Sequence, residues 1–105
     1  MEIDGKTRVV GIVADPIAHV RTPQLFNAAM ARQGHNAVCV PLHVAPPQLP
    51  ALLAGLAGCQ NLAGLVVTIP HKEAVVAHCG ELTPAARLVG AANVLRGDGA
   101  RGHWL

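Results

Sequence analysis

Lys72 carries an ammonium, a group that can exchange a proton and offset negative charge. It follows a run of β-branched residues that ends at Pro70, so the sequence puts it just past a strand end. An ammonium offsets a neighbouring negative charge far better in a dry cleft than in water. A free lysine titrates near ~10.4, so serving as a base near neutrality requires burial or a second positive neighbour. Asn93, closing the string Gly90-Ala-Ala-Asn93, has an amide that both donates and accepts hydrogen bonds. Thr68 brings a hydroxyl to the same strand end as Lys72, while Arg21 and Thr22 add a guanidinium and a hydroxyl in an earlier loop. Each also has a plain structural reading: Thr22 as a helix cap, Thr68 as a β-prone residue, Asn93 as a residue leading into a strand, Lys72 as a solvated residue in a first helical turn. A cation in a first turn opposes the helix dipole, which favours a functional reading of Lys72.

The remaining polar side chains exclude several classes of function. Cys39, Cys59 and Cys79 are odd in number and contain no C-x-x-C pair, which argues against a disulfide framework and against a zinc knuckle and predicts reduced thiols. His19, His35, His43, His71, His78 and His103 lack the H-E-x-x-H spacing that places two ligands on one helical face, so they read as surface or satisfied core histidines and no metal is expected. A net charge of +2 comes from basic residues scattered along the chain, without the clustered patch that a nucleic-acid partner requires. The apolar runs are a few residues long, against ~20 for a bilayer span, and Glu2 and Asp4 precede the first of them. No membrane partner and a cytoplasmic location are expected.

The elements that would position these groups are legible from punctuation and period. Residues 8–14 form a β-branched apolar run, as for a strand covered on both faces, and Asp15-Pro16 ends it. Thr22-Pro23 supplies a cap and a proline at the first helical position, Leu25, Phe26, Ala29 and Met30 form the expected buried stripe, and Gly34 stops a helix at about Gln33. Residues 37–44 read as a strand confined by Pro41 to an edge or a bulge. Leu49, Leu52, Leu53 and Leu56 mark an amphipathic helix stopped by Gly58, and residues 62–69 a third buried strand. Helical character follows over 71–79. Thr83-Pro84 opens a short helix to Val89, residues 92–96 form a last strand, and Gly97-Asp98-Gly99 a turn. The order β-α-β-α-β-α-α-β predicts an α/β fold, three layers α/β/α around a mostly parallel sheet, in one domain over residues 1–105. Only Phe26 and Trp104 are aromatic, so Ala, Val, Leu and Ile must fill the core. Ligands bind outside the carboxyl ends of strands in open α/β sheets, which directs attention to the loops 15–22, 68–72 and 90–93.

Those loops carry a resemblance. Asp15-Pro-Ile-Ala-His-Val-Arg-Thr-Pro23, followed by Phe26-Asn-Ala-Ala-Met30, is similar to the N-P-I-x-H-S-x-S-P-x-x-H-N-A-A-F opening of the shikimate and quinate dehydrogenases. Val67-Thr-Ile-Pro-His-Lys-Glu73 reproduces their V-T-x-P-x-K-E string, and Gly90-Ala-Ala-Asn93 their G-A-x-N. The resemblance spans nearly the whole chain and covers the substrate-binding domain of that family. It implies an oxidoreductase that exchanges a hydride between a ring alcohol carbon and the nicotinamide of NADP or NAD, with a small hydroxylated carboxylic acid such as shikimate as partner. By this resemblance Lys72 matches the catalytic lysine, Asn93 and Thr68 match substrate-contacting positions, and Thr22, with Arg21 beside it, falls where the substrate carboxylate is held. A monomer or a homodimer is the implied assembly.

The chain departs from the family in two respects. The S-x-S pair that binds the carboxylate is Val20 and Thr22 here, and the lost donor should cost roughly 1–3 kcal/mol unless Arg21 compensates. A substrate other than shikimate, still a small hydroxylated acid, is therefore expected. The family's second catalytic group, an Asp in a G-x-x-T-D stretch, is not among these residues. The nucleotide-binding domain is thus expected to lie outside this chain, which should bind substrate, hold no NADP or NAD, and not turn over alone. The alternative is a free-standing, non-catalytic small-molecule-binding module of the same fold.

Overall fold

The computed structural model describes residues 2–98, 103 and 104. Three strands run parallel: β1 (Arg8–Ala14) at the centre, β2 (Ala37–His43) at its outer edge and β3 (Leu62–Val67) on the other side. Two more extend the sheet in the antiparallel sense, β4 (Val94–Asp98) against β3 and β5 (His103–Trp104) against β4, for the order β2-β1-β3-β4-β5. Helix α1 (Thr22–Gln33) links β1 to β2, α2 (Leu49–Leu56) links β2 to β3, and α3 (Pro84–Val89) precedes β4. Short 3₁₀ turns occupy Pro46–Gln48 and Ala74–His78.

Strand alternation explains the layers. Val13, Leu65 and Val67 point to one face, where Leu49 and Leu53 of α2 and Val75 of the second 3₁₀ turn close over them. Ile12 and Cys39, also buried, point to the other, and α1 lies along β2. The result is the expected three-layer α/β/α arrangement, with a core built almost wholly of aliphatic side chains. Pro41 lies on the edge strand, where a missing N–H does no harm. The free side of that edge is closed by Asn27 of α1. Its amide donates to the Cys39 carbonyl at 3.1 Å and accepts from the Cys39 N–H at 2.7 Å, standing in for the strand that is not there. Gly34 and Gly90 end α1 and α3 with φ of 72° and 76°, left-handed values that favour glycine.

Several expectations need correction. The stripe along α1 is only partly buried: Phe26, Ala29 and Met30 are half-buried, while Leu25 is 67% exposed. Thr22 is not the cap of α1. Arg21 holds that position without a side-chain cap bond, Thr22 already lies inside the helix, and the proline falls at the second helical position, where its N–H would also lack a partner. Thr83, by contrast, caps α3 as expected, accepting from the Ala86 N–H at 3.1 Å. The helical reading of 71–79 contracts to the 3₁₀ turn Ala74–His78, so Lys72 stands ahead of it and the dipole argument no longer applies. The last strand runs over Val94–Asp98 rather than 92–96. Gly97 and Asp98 pair with Trp104 and His103 instead of turning, while Gly99 lies outside the described residues.

Candidate functional site

Where β3 ends, its chain is bound to both neighbours. The Thr68 N–H donates to the Val13 carbonyl of β1 at 3.1 Å, and the Val67 N–H to the Asn93 carbonyl at 2.8 Å. After the tight turn in which the His71 N–H reaches the Thr68 carbonyl at 3.0 Å, the Lys72 carbonyl accepts from the Ala92 N–H at 2.8 Å. The segment carrying Lys72 and the segment carrying Asn93 are therefore laced together by main-chain bonds. Gly64 makes this possible, since a Cβ on it would lie 2.5 Å from the Leu95 carbonyl oxygen and force β4 away.

Lys72 and Asn93 line one crevice of about 720 Å³ between α3 and β4, together with Cys79, Glu81, Thr83 and Arg96. Both Lys72 and Asn93 are exposed, and among the described residues no side-chain hydrogen bond or ion pair engages the ammonium. Burial pushes the Cys79 thiol upward, so it stays protonated at neutral pH. Thr68, Arg21 and Thr22 do not line this crevice. Thr68 is half-buried at the tip of β3. Arg21 is exposed and Thr22 half-buried at the start of α1, in the loop that follows β1. That loop does touch the lysine segment, through the Asp15 N–H donating to the Ile69 carbonyl at 3.2 Å. The Thr22 hydroxyl makes no cap bond and so is free of the structural duty that competed with a ligand.

Two features of this rim were not expected from the sequence. His43 Nε2 lies 2.6 Å from Asp15 Oδ1, bridging the carboxyl ends of β2 and β1. His71 is buried, and its Nε2 lies 2.7 Å from the Val44 carbonyl. Among the described residues no group of three or more His, Cys, Asp or Glu side chains gathers to hold a metal ion.

The described helix starts offer fewer donors than the dinucleotide of the resembled family would use. A pyrophosphate is held by free N–H groups at a helix start, yet α1, α2 and α3 each carry a proline at the first or second position, which removes a donor from that turn. The two glycines with positive φ both stand at helix ends rather than helix starts.

Comparison with known proteins agrees with this geometry. The family described as shikimate dehydrogenase substrate binding domain matches residues 12–95. The NADP(+) shikimate dehydrogenase of Anaeromyxobacter sp. strain Fw109-5 is 47% identical over 94 residues, which is 90% of this chain and 33% of that protein. That of Microcystis aeruginosa is 44% identical over 93 residues, 89% of this chain and 32% of that protein. The crystal structure of shikimate 5-dehydrogenase from Listeria monocytogenes, in complex with shikimate and NAD, superposes with a TM-score of 0.89 at 33% identity, covering 99% of this chain and 35% of the other. The ligand-free 5-ketofructose reductase of Gluconobacter sp. strain CHM43 has the same fold, with a TM-score of 0.84 at 25% identity over 91% of this chain and 35% of that one. The chain spans about a third of the length of the curated relatives it matches. With the family matched along most of its length and the lysine and asparagine segments joined at one crevice, the chain belongs to the shikimate dehydrogenase substrate-binding domain family.

Proposed function

We propose that this chain is the substrate-binding domain of an oxidoreductase of the shikimate dehydrogenase type, acting on the ring hydroxyl of a small hydroxylated carboxylic acid. The observation that carries the reading is the shared crevice of Lys72 and Asn93, with the Lys72 carbonyl accepting from the N–H of Ala92, the residue before Asn93, at 2.8 Å. Oxidation of a ring alcohol releases the hydroxyl proton, which passes to the Lys72 amine; in reduction the ammonium returns it to the forming alkoxide. Asn93 and Thr68 donate to and accept from the ring hydroxyls and so fix which carbon faces the reaction. Thr22 and Arg21 hold the carboxylate, with Val20 leaving that end one donor short. Because Lys72 is exposed, a second surface must cover the crevice and exclude water before its charge acts at full strength.

NADP or NAD is the hydride partner of the reaction class. A nucleotide-binding domain outside these residues would supply its site. Unpaired thiols are in keeping with a cytoplasmic location. Among the described residues no helix is long and apolar enough to cross a membrane. Leu88, Val89 and Val94 lie exposed beside the crevice, which favours association with a further protein surface, a second copy included.

Calorimetry of the chain against shikimate, quinate and related cyclohexene and cyclohexane carboxylic acids tests the reading. Saturable binding of one such acid, with no NADP-dependent oxidation by this polypeptide alone, is expected. Binding of none, or turnover by the chain alone, would overturn it. A free-standing binding module without catalysis is the second reading, favoured by the donor missing at Val20. The intact mass of the natural gene product separates the two.

A further inference from the structure

We infer that His71 is the positioning residue for Lys72, holding the lysine's main chain against the end of β2 through an imidazole whose Nε2–H donates to the Val44 carbonyl. This inference rests on the proposed role of Lys72 at the substrate hydroxyl. Three bonds meet at His71: its N–H donates to the Thr68 carbonyl at 3.0 Å, its carbonyl accepts from the Val75 N–H at 3.1 Å, and its Nε2 lies 2.7 Å from the Val44 carbonyl. A carbonyl only accepts, so Nε2 carries the hydrogen. Val44 is itself anchored, since its N–H donates to Ala14 at 3.1 Å and its side chain lies in the core cluster. The carbonyl that the imidazole grips is therefore a fixed point of the sheet.

Lys72 needs such a grip. Among the described residues no side-chain bond orients it, so it is aimed through its main chain alone. On one side that chain is tied to the segment leading into β4 by the bond from Ala92, and on the other it is tied to the sheet by His71. The side chain is 1% exposed, a costly place for an imidazole unless the bond to Val44 compensates. Leucine or phenylalanine would fill the space without holding Val44. A ring donor reaching across 27 positions of sequence instead couples the β2 end to the turn that carries both Thr68 and Lys72.

Three variants of the chain and one spectrum of the unmodified protein test this. In His71→Phe, hydrogen exchange at the Ala92 amide should quicken by about tenfold or more while the β1–β3 ladder amides keep their rates, and affinity for whichever of the cyclohexene and cyclohexane carboxylic acids binds the parent in calorimetry should fall about tenfold. In His71→Gln, whose amide nitrogen takes the place of Nε2, both should return to within about threefold of the parent. In His71→Leu the Phe pattern should recur. Imidazole ¹⁵N shifts of the unmodified chain at neutral pH should report the Nε2–H tautomer, a reading available even if a variant does not fold. An Nδ1–H tautomer, an unchanged Ala92 amide, ladder amides quickening in step with Ala92, or a Gln variant no better than Phe would each overturn the inference. If the unmodified chain binds no cyclic hydroxy acid, the proposed function falls, and the exchange and tautomer results still decide the positioning of Lys72.

Discussion

The two rims of the sheet are finished in opposite ways. At the β1–β2 side, side chains close what the backbone leaves open: Asn27 caps the free edge of β2, and His43 reaches Asp15 across the strand ends. At the β3–β4 side the backbone does the closing, through Val67 to Asn93 and Ala92 to Lys72, and the side chains of Lys72 and Asn93 are left to face an open crevice. Leu88 (89% exposed), Val89 (74%) and Val94 (61%) flank that opening. Reactive groups stay available when the main chain alone holds their segment, and side chains that would otherwise be spent on structure are free for a ligand.

This contrast can be broken from either side. The largest effect is expected at Gly64, because an added Cβ meets the Leu95 carbonyl oxygen, which cannot yield without parting β3 from β4. Gly64→Ala should destabilise the chain by about 3 kcal/mol, read by denaturant unfolding, and abolish ligand binding as the Asn93 segment shifts. Gly11→Ala provides the control. Its Cβ would meet only the ends of Leu65 and Leu42, which can turn aside, so about 1 kcal/mol is expected and the crevice should survive.

Asn27→Ala tests the opposite rim. It strips the Cys39 N–H and carbonyl of both partners, so a loss of about 2 kcal/mol is expected with ligand affinity of the folded protein unchanged. Lys72→Ala should reverse that pattern, with a melting temperature near that of the parent and affinity for the cyclic acid about tenfold lower by calorimetry. The smallest effect belongs to Asp4, far from both rims. The Asn36 side chain, followed by the Lys6 N–H, holds its carboxyl below the ordinary range. A depressed folded value contributes stability above the unfolded value that is lost as pH falls through the folded one. Asp4→Asn should therefore flatten the pH dependence of the melting temperature below about pH 4 and leave it unchanged near neutrality.

How far the site was legible follows from the range of the interactions involved. Lys72 and Asn93 could be chosen from V-T-I-P-H-K-E and G-A-A-N because short strings place a side chain at a strand tip. That the two strings share one crevice depends on β4 pairing antiparallel to β3, which no local pattern specifies. Thr22 was assigned a cap bond because Thr-Pro favours one, but the helix begins a residue earlier and leaves the hydroxyl unengaged. His71 was readable only as a histidine of unknown surroundings, since its partner lies 27 residues away.

What the sequence determined by itself is therefore local: strands from β-branched runs, helix ends from Gly34 and Thr83-Pro84, an edge or a bulge for β2 from Pro41, and family membership from the strings around residues 15, 70 and 93. Only the tertiary structure decided the direction of β4, the exposure of Leu25, the crevice between α3 and β4, and the grip of His71 on Val44. Dihedral preferences, caps and apolar periodicity act within a few residues, whereas strand direction and a buried donor's partner depend on which distant segments meet once the core has closed.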